Sequence, residues 1–229
     1  MVSIGSKLQE VKRRIDAATA MAGRPANSVT LLAVSKTQPE AAVREALAAG
    51  QRAFGENYVQ EGLAKIDAMA ALRGQLEWHL VGPLQSNKTR AVAEAFDWVH
   101  SVDRLKIAER LSAQRPPGLP PLNVCLQVNI SGQASKSGLT AGELPAVAAA
   151  VAALPGLRLR GLMAIPEPAD NAAEQRAPHA ALRALRDALA IQGLLLDTLS
   201  MGMSADLEAA IAEGATLVRV GSAVFGARA

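Results

Sequence analysis

Lys36 closes an apolar run, Val29-Thr30-Leu31-Leu32-Ala33-Val34-Ser35, and an amine at the end of such a segment is a candidate for chemistry. Strand alternation puts Leu32, Val34 and Lys36 on one side and Leu31, Ala33 and Ser35 on the other, and both sides are mostly apolar. Such a strand is buried on both faces. The cost of desolvating a charged amine there falls if it is neutral, paired with an anion, or joined covalently to an aldehyde. The ordinary alternative is a strand-end lysine that reaches solvent. What else the chain brings to the same place decides between them.

Two later segments, Ser200-Met201-Gly202-Met203-Ser204 and Arg219-Val220-Gly221-Ser222, supply glycine, hydroxyl and backbone N–H groups at the ends of apolar strands. Glycine permits close backbone approach, and a helix start adds partial positive charge, so both segments suit a phosphate. Two plain strand-to-helix turns capped by serine are the alternative. Arg219 is a cation inside an apolar strand, and the residues alone leave open a ligand contact or a structural ion pair. A reactive lysine opposite a phosphate cradle suggests an aldehyde carrying a phosphate, bound as an imine. Pyridoxal 5′-phosphate fits, and so does a sugar phosphate in an aldolase. His79 ends an apolar strand and reads as a satisfied core histidine before an acid or base. His100 and His179 form no cluster with it in sequence, so no metal site is argued.

The elements that would position these residues alternate regularly. An amphipathic helix from Ser6 to about Met21 comes first, with Leu8, Val11 and Ile15 on one face. Strands follow at Val29–Ser35, Arg52–Gly55, Leu76–Gly82, Trp98–Val102, Leu122–Asn129, Leu157–Ala164, Leu196–Met201 and Thr216–Gly221, each trailed by a helical segment. Ser204 is read as an N-cap of the helix ending near Ala212, and Asn57 as either an N-cap or a pocket residue. The proline-rich stretch 116–121 is a loop, because the alternation continues unchanged beyond it. Eight strand-helix units imply parallel crossovers and a closing number of strands. The expected fold is therefore α/β, a single (β/α)8 TIM barrel spanning 1–229 with an extra N-terminal helix. An open doubly wound sheet is the alternative, but no G-x-G-x-x-G follows the first strand. In a barrel, function collects where strands end, and phosphate often binds after strands seven and eight.

Composition agrees with this architecture. Half of the 229 residues are hydrophobic and only 3% aromatic, so the core is built from Ala, Leu, Val and Ile, which suits helices on parallel strands. The net charge of +3 is not gathered into a basic stripe interleaved with aromatics, which argues against nucleic-acid binding. Cys125, the single cysteine, excludes an intrachain disulfide and sits between Val124 and Leu126 as an inert core residue. The N-terminus lacks a secretory signal and the apolar stretches stop short of a membrane span, so a soluble cytoplasmic protein is expected.

Six fragments in order, Ala33–Thr37, Phe54–Glu61, Trp78–Lys88, Gly161–Pro166, Leu199–Ser204 and Val218–Ser222, resemble the pyridoxal-phosphate homeostasis protein family (YggS/PROSC type). The resemblance implies a barrel like the N-terminal domain of alanine racemase, with Lys36 carrying pyridoxal 5′-phosphate as an internal aldimine. It implies that Ser200, Met201 and Gly202, with Gly221 and Ser222, hold the phosphate, and that Arg219 faces the pyridine nitrogen. An arginine there leaves that nitrogen unprotonated and weakens the ring as an electron sink. Asn57 and Met163 would line the ring pocket, with the alternatives that Asn57 caps its helix and Met163 fills core. Gln38 departs from relatives that carry a lysine there. Lys136, in the loop Ser131–Gly138, reads as a solvated lysine, with cofactor transfer as its functional alternative.

Racemases of the related fold bring a tyrosine base from a second domain. This chain has one tyrosine, Tyr58, and no stretch after the eighth unit for such a domain. The expectation is therefore a cofactor-binding homeostasis protein without a firm catalytic activity, with apo pyridoxal-phosphate enzymes as recipients of the cofactor. A small amino-acid racemase is the first alternative and a cofactor-free Schiff-base aldolase the second. A monomer is expected.

Overall fold

The computed structural model describes residues 3–133 and 136–226, so Ala134 and Ser135 of the Ser131–Gly138 loop lie outside the described residues. The helix α1 (Ile4–Met21) precedes β1 (Thr30–Val34), α2 (Glu40–Ala48), β2 (Ala53–Glu56), α3 (Val59–Ala68), β3 (Glu77–Leu80) and α4 (Thr89–Ala95). There follow β4 (Trp98–Val102), α5 (Leu105–Gln114), β5 (Leu122–Gln127), α6 (Leu144–Ala152), β6 (Leu157–Met163) and α7 (Ala172–Ile191). The chain continues with β7 (Thr198–Ser200), α8 (Leu207–Ala212), β8 (Leu217–Val220) and α9 (Ser222–Phe225). Strands β1 to β8 close in sequence order into a parallel barrel, with β8 pairing back onto β1. The (β/α)8 barrel with an added N-terminal helix is thus the fold.

The period of two along each strand sorts the side chains into two cores. Leu31, Ala33, Phe54, Trp78, Leu80, Leu162, Leu199, Val218 and Val220 join the layer under the helices. Residues of the opposite phase group separately: Leu32, Ala53, Val81 and Leu217 in one cluster, Trp98, Cys125 and Met163 in another. These fill the barrel interior. Lys36 has the phase of Leu32 and Val34, so the strand that buries them also aims the lysine at the mouth of the barrel.

The helix α1 is part of the wall. Leu8, Val11, Ile15 and Ala18 are buried at helical spacing, and the helix packs on α2, α8 and α9. Each large aliphatic side chain buried there contributes roughly 1.5–3 kcal/mol. Ser3 caps the helix by accepting the Ser6 N–H at 3.1 Å. Among the described residues no helix is long and apolar enough to cross a membrane.

One capping expectation, Ser204, is corrected, and the capping alternative for Asn57 falls away. The helix α3 begins at Val59 with Tyr58 in the capping position, so Asn57 lies outside the helix and its side chain does not cap it. The helix α8 begins at Leu207 after Asp206, and Ser204 belongs to the preceding turn. In both cases the chain stays extended or turned for longer after the strand, which carries the polar side chain to the barrel mouth.

Candidate functional site

A cavity of about 310 Å³ opens at the C-terminal mouth, and Lys36, Asn57, Ile165, Ser204, Arg219, Gly221 and Ser222 are in its wall. Its size is at the small end of the range for small-molecule sites. Sequence positions 36, 57, 219, 221 and 222 therefore meet in one place. Met163, Ser200 and Met201 do not line it. Met163 points into the interior against Trp98 and Cys125, one layer below Ile165. Met201 has the outward phase and packs under the helices. Ser200 is buried beneath Arg219, and Gly202 contributes its carbonyl, which accepts the Arg219 N–H at 2.9 Å.

The backbone on both sides of Lys36 is pinned. The Ser35 N–H donates to the Gly55 carbonyl at 2.9 Å, and the Thr37 N–H donates to Glu61 Oε1 at 2.6 Å. Ser35 Oγ donates to Glu56 Oε1 at 2.5 Å, and Lys65 Nζ donates to the Ser35 carbonyl at 2.6 Å and to Glu56 and Glu61 at 2.8 and 2.7 Å. Thr37 takes φ of 63°, a conformation costly for a β-branched residue. That cost is offset where the surrounding contacts overdetermine the backbone, as they do here. Glu56 is fully buried, with Oε2 lacking a hydrogen-bond partner among the described residues. Burial pushes its carboxyl up from the ordinary value, while the bonds from Lys65 and Ser35 pull it back. Sequence reading missed this pair. The four-residue spacing of Glu61 and Lys65 signals only the neighbouring ion pair, not the one to Glu56.

The opposite wall is built by the turns after β7 and β8. Gly202 has φ of +91°, and a Cβ there would meet the Ala210 Cβ at 2.5 Å, so only glycine lets the chain turn close over α8. The Met203 N–H then donates to Asp206 Oδ1 at 2.6 Å. This brings Ser204 Oγ within 3.4 Å of Ser222 Oγ, so the two turns meet at a pair of hydroxyls beside the first-turn N–H groups of α9. Arg14 of α1 ties the arrangement down by donating to the Ser204 carbonyl at 3.1 Å and to Glu208.

Arg219 enters between these walls. Its partners are the Ser200 carbonyl and hydroxyl at 2.6 and 2.8 Å and the Ala164 carbonyl at 2.9 Å, which resolves the structural ion-pair reading in favour of neutral acceptors. Burial lowers its pKa to about 10, so it stays cationic at neutral pH. Burial pushes the Cys125 thiol up to about 12, in keeping with an inert core residue. Tyr58 is 58% exposed and lines no part of the cavity. Lys136 Nζ pairs with Glu167 at 2.5 Å beside the adjoining cleft that shares Asn57 and Ile165 with the main cavity.

Asn57 owes its place to Gly82. A Cβ on residue 82 would lie 2.1 Å from the Asn57 carbonyl oxygen, a backbone atom that cannot rotate away. Gly82→Ala is expected to destabilise the protein by about 1–3 kcal/mol and to push Asn57 out of line, which thermal unfolding and ligand affinity would both register.

An amine, a pair of hydroxyls and a buried guanidinium surround one cavity of a (β/α)8 barrel. Residues 6–229 match the family model described as alanine racemase, N-terminal domain. The pyridoxal phosphate homeostasis protein of Pseudomonas aeruginosa is 64% identical over 228 residues, covering 100% of this chain and 97% of that protein. That of Escherichia coli K12 is 55% identical over 234 aligned positions, covering 100% and 98%. The structure of PipY from Synechococcus elongatus with pyridoxal phosphate bound is 44% identical, with a TM-score of 0.81, and covers 93% of this chain and 100% of that one. The chain belongs to the pyridoxal phosphate homeostasis protein family, on the barrel of the alanine racemase N-terminal domain.

Proposed function

We propose that this protein binds pyridoxal 5′-phosphate at the barrel mouth and serves cofactor supply rather than amino-acid turnover. The observation that carries the reading is the convergence of Lys36, Arg219 and the Ser204–Ser222 pair on one small cavity, in a chain 44% identical to a relative solved with that cofactor. The donor set fits the group. Lys36 supplies the amine whose nitrogen attacks the aldehyde carbon, with water leaving. Ser204, Ser222 and the backbone from Gly221 hold the phosphate oxygens, taking over the part first assigned to Ser200 and Met201. Gly202 acts there through its turn. Asn57 and Ile165 flank the ring, and Met163 supports it from below. Arg219 presents a permanent cation to the ring nitrogen and so disfavours its protonation. When bound, the cofactor supplies an electron sink, and this cation makes it a weak one.

The same geometry supports a carrier over a racemase. Two-sided proton transfer needs a base on each face, and the chain's one tyrosine is exposed away from the cavity. Apo pyridoxal-phosphate enzymes are the proposed recipients, and a monomer in the cytoplasm is the proposed form. The test loads the protein with one equivalent of cofactor and adds an apo-enzyme together with a phosphatase that destroys free cofactor. Reactivation of the apo-enzyme under those conditions, with no α-proton exchange on added amino acids, is expected. Substantial exchange would establish the racemase reading instead.

A further inference from the structure

Behind Arg219 the barrel interior holds polar side chains where branched aliphatics usually stack. Ser200 Oγ lies 2.7 Å from His100 Nδ1, His100 Nε2 lies 2.9 Å from His79 Nδ1, and His79 Nε2 lies 2.8 Å from Glu77 Oε1. Ser200 and both imidazoles are buried, while the Glu77 side chain is half exposed at the start of β3. The five groups therefore form one hydrogen-bonded line from the N-terminal face of the barrel to the cavity at the other end. Sequence reading separated His79 from His100. The pairing of β3 with β4, which sets His79 against Trp98, brings the rings together.

The two ends give the line a direction. The His79 ring holds the Glu77 carboxyl below its usual range, so that end is a carboxylate and accepts. His79 Nε2 must then carry a proton, and a ring holding that one proton leaves Nδ1 as an acceptor. His100 donates to it from Nε2 and accepts at Nδ1. Burial, then the nearby His79 and Arg219, hold His100 well below the ordinary imidazole value, so it stays neutral with a single ring proton. The Ser200 hydroxyl donates to His100, which turns its lone pairs toward the guanidinium. Every donor points away from Arg219 and toward Glu77. With one proton on each ring, the opposite direction would set a bare imidazole nitrogen against a carboxylate.

We infer that Glu77, His79, His100 and Ser200 are positioning residues for Arg219, a one-way hydrogen-bond chain that fixes the guanidinium with its unused N–H edge toward the cofactor cavity. Arg219 has five N–H donors, and three are committed to Ser200 and Ala164. Two remain for the cavity. The rings cannot tilt freely: Trp98 stacks on His79 with an interplanar angle of 10°, and Arg160 lies 4.7 Å above the Trp98 ring. Arg160 is itself held by Asp197. The inference rests on the reading of Arg219 as a cofactor contact.

The test has a readout that needs no cofactor. Heteronuclear NMR of the imidazole nitrogens in the unloaded protein at neutral pH is expected to show the Nε2–H tautomer at both His79 and His100. An Nδ1–H tautomer at either would overturn the chain. Glu77→Gln, a half-exposed and isosteric change, removes the charge that sets the direction and is expected to give a mixture of tautomers; an unchanged single tautomer counts against the inference. Ser200→Ala is expected to weaken binding of pyridoxal phosphate about fivefold, the factor represented by about 1 kcal/mol for one net hydrogen bond. It is also expected to shift the absorbance of the loaded protein. Arg219→Ala separates the two failures. Unchanged affinity in that variant overturns the cofactor contact itself, whereas weakening there with none in Ser200→Ala overturns only the chain.

Discussion

Lys65→Met is expected to destabilise the protein by about 3–5 kcal/mol, because it strips the cation from a carboxylate that has no route to water. Glu56 is fully buried and the Lys65 side chain is 7% exposed, so solvent screens neither group appreciably. Methionine keeps the volume of the lysine stem but leaves Glu56 with the Ser35 hydroxyl as its remaining donor. For a chain of this length the Tm is expected to fall on the order of 10 °C. Acid should narrow the loss. A carboxyl whose folded pKa lies above its unfolded value contributes stability that is present at low pH and lost as pH rises through the folded pKa, and Glu56 is shifted in that direction. Losing Lys65 raises it further, so the variant recovers relative to the parent as pH falls and Glu56 takes up a proton. Pairing Lys65→Met with Glu56→Gln should restore most of the difference, since the buried charge is then gone. Denaturant unfolding of the three proteins at neutral and acidic pH checks this, and a single-variant loss below about 1 kcal/mol would refute it.

The same pair explains how much of the site was legible in the chain. Alternation within β1 sufficed to place Lys36, because phase follows from counting residues and the flanking Leu32 and Val34 are fixed as interior. The same count separates Ser200 from Met201: adjacent strand residues cannot face one cavity, and Met201 lies on the helix side. Depth was harder. Met163 and Ile165 share a phase, and only the height at which β6 meets its neighbours shows that the second reaches the mouth while the first is packed beneath it. Ser204 looked like a helix cap because serine favours that position, and Asn57 carried capping as the alternative to a place in the pocket. Tertiary packing instead delays the start of α3 and α8. The Glu56–Lys65 and His79–His100 contacts depend on pairing across elements, which no local pattern encodes. The family resemblance supplied the ligand, and the fold supplied the reasons for its residues.

Lys36→Ala is expected to abolish covalent retention of pyridoxal phosphate and the visible absorbance of the loaded protein, while leaving the fold intact. Lys36 is half-buried at the end of β1, and contacts through Ser35 and Thr37 pin its backbone. Those backbone contacts remain in the variant, so it is expected to unfold cooperatively with the barrel intact. The anion cradle at Ser204 and Ser222 stays in place, so the variant retains weak, reversible binding governed by the phosphate. Affinity is expected to fall at least about a hundredfold, equivalent to about 2.7 kcal/mol for the lost bond. Lys36→Arg makes the argument specific to nucleophilicity. It keeps a cation at the same place, but the guanidinium does not release a proton near neutral pH and offers no lone pair to an aldehyde. It should fail to retain the cofactor as completely as alanine does. Borohydride treatment of the loaded parent followed by peptide mapping is expected to find the label on Lys36. A label on Lys136, whose amine already pairs with Glu167 next to the adjoining cleft, would move the covalent site and overturn the assignment.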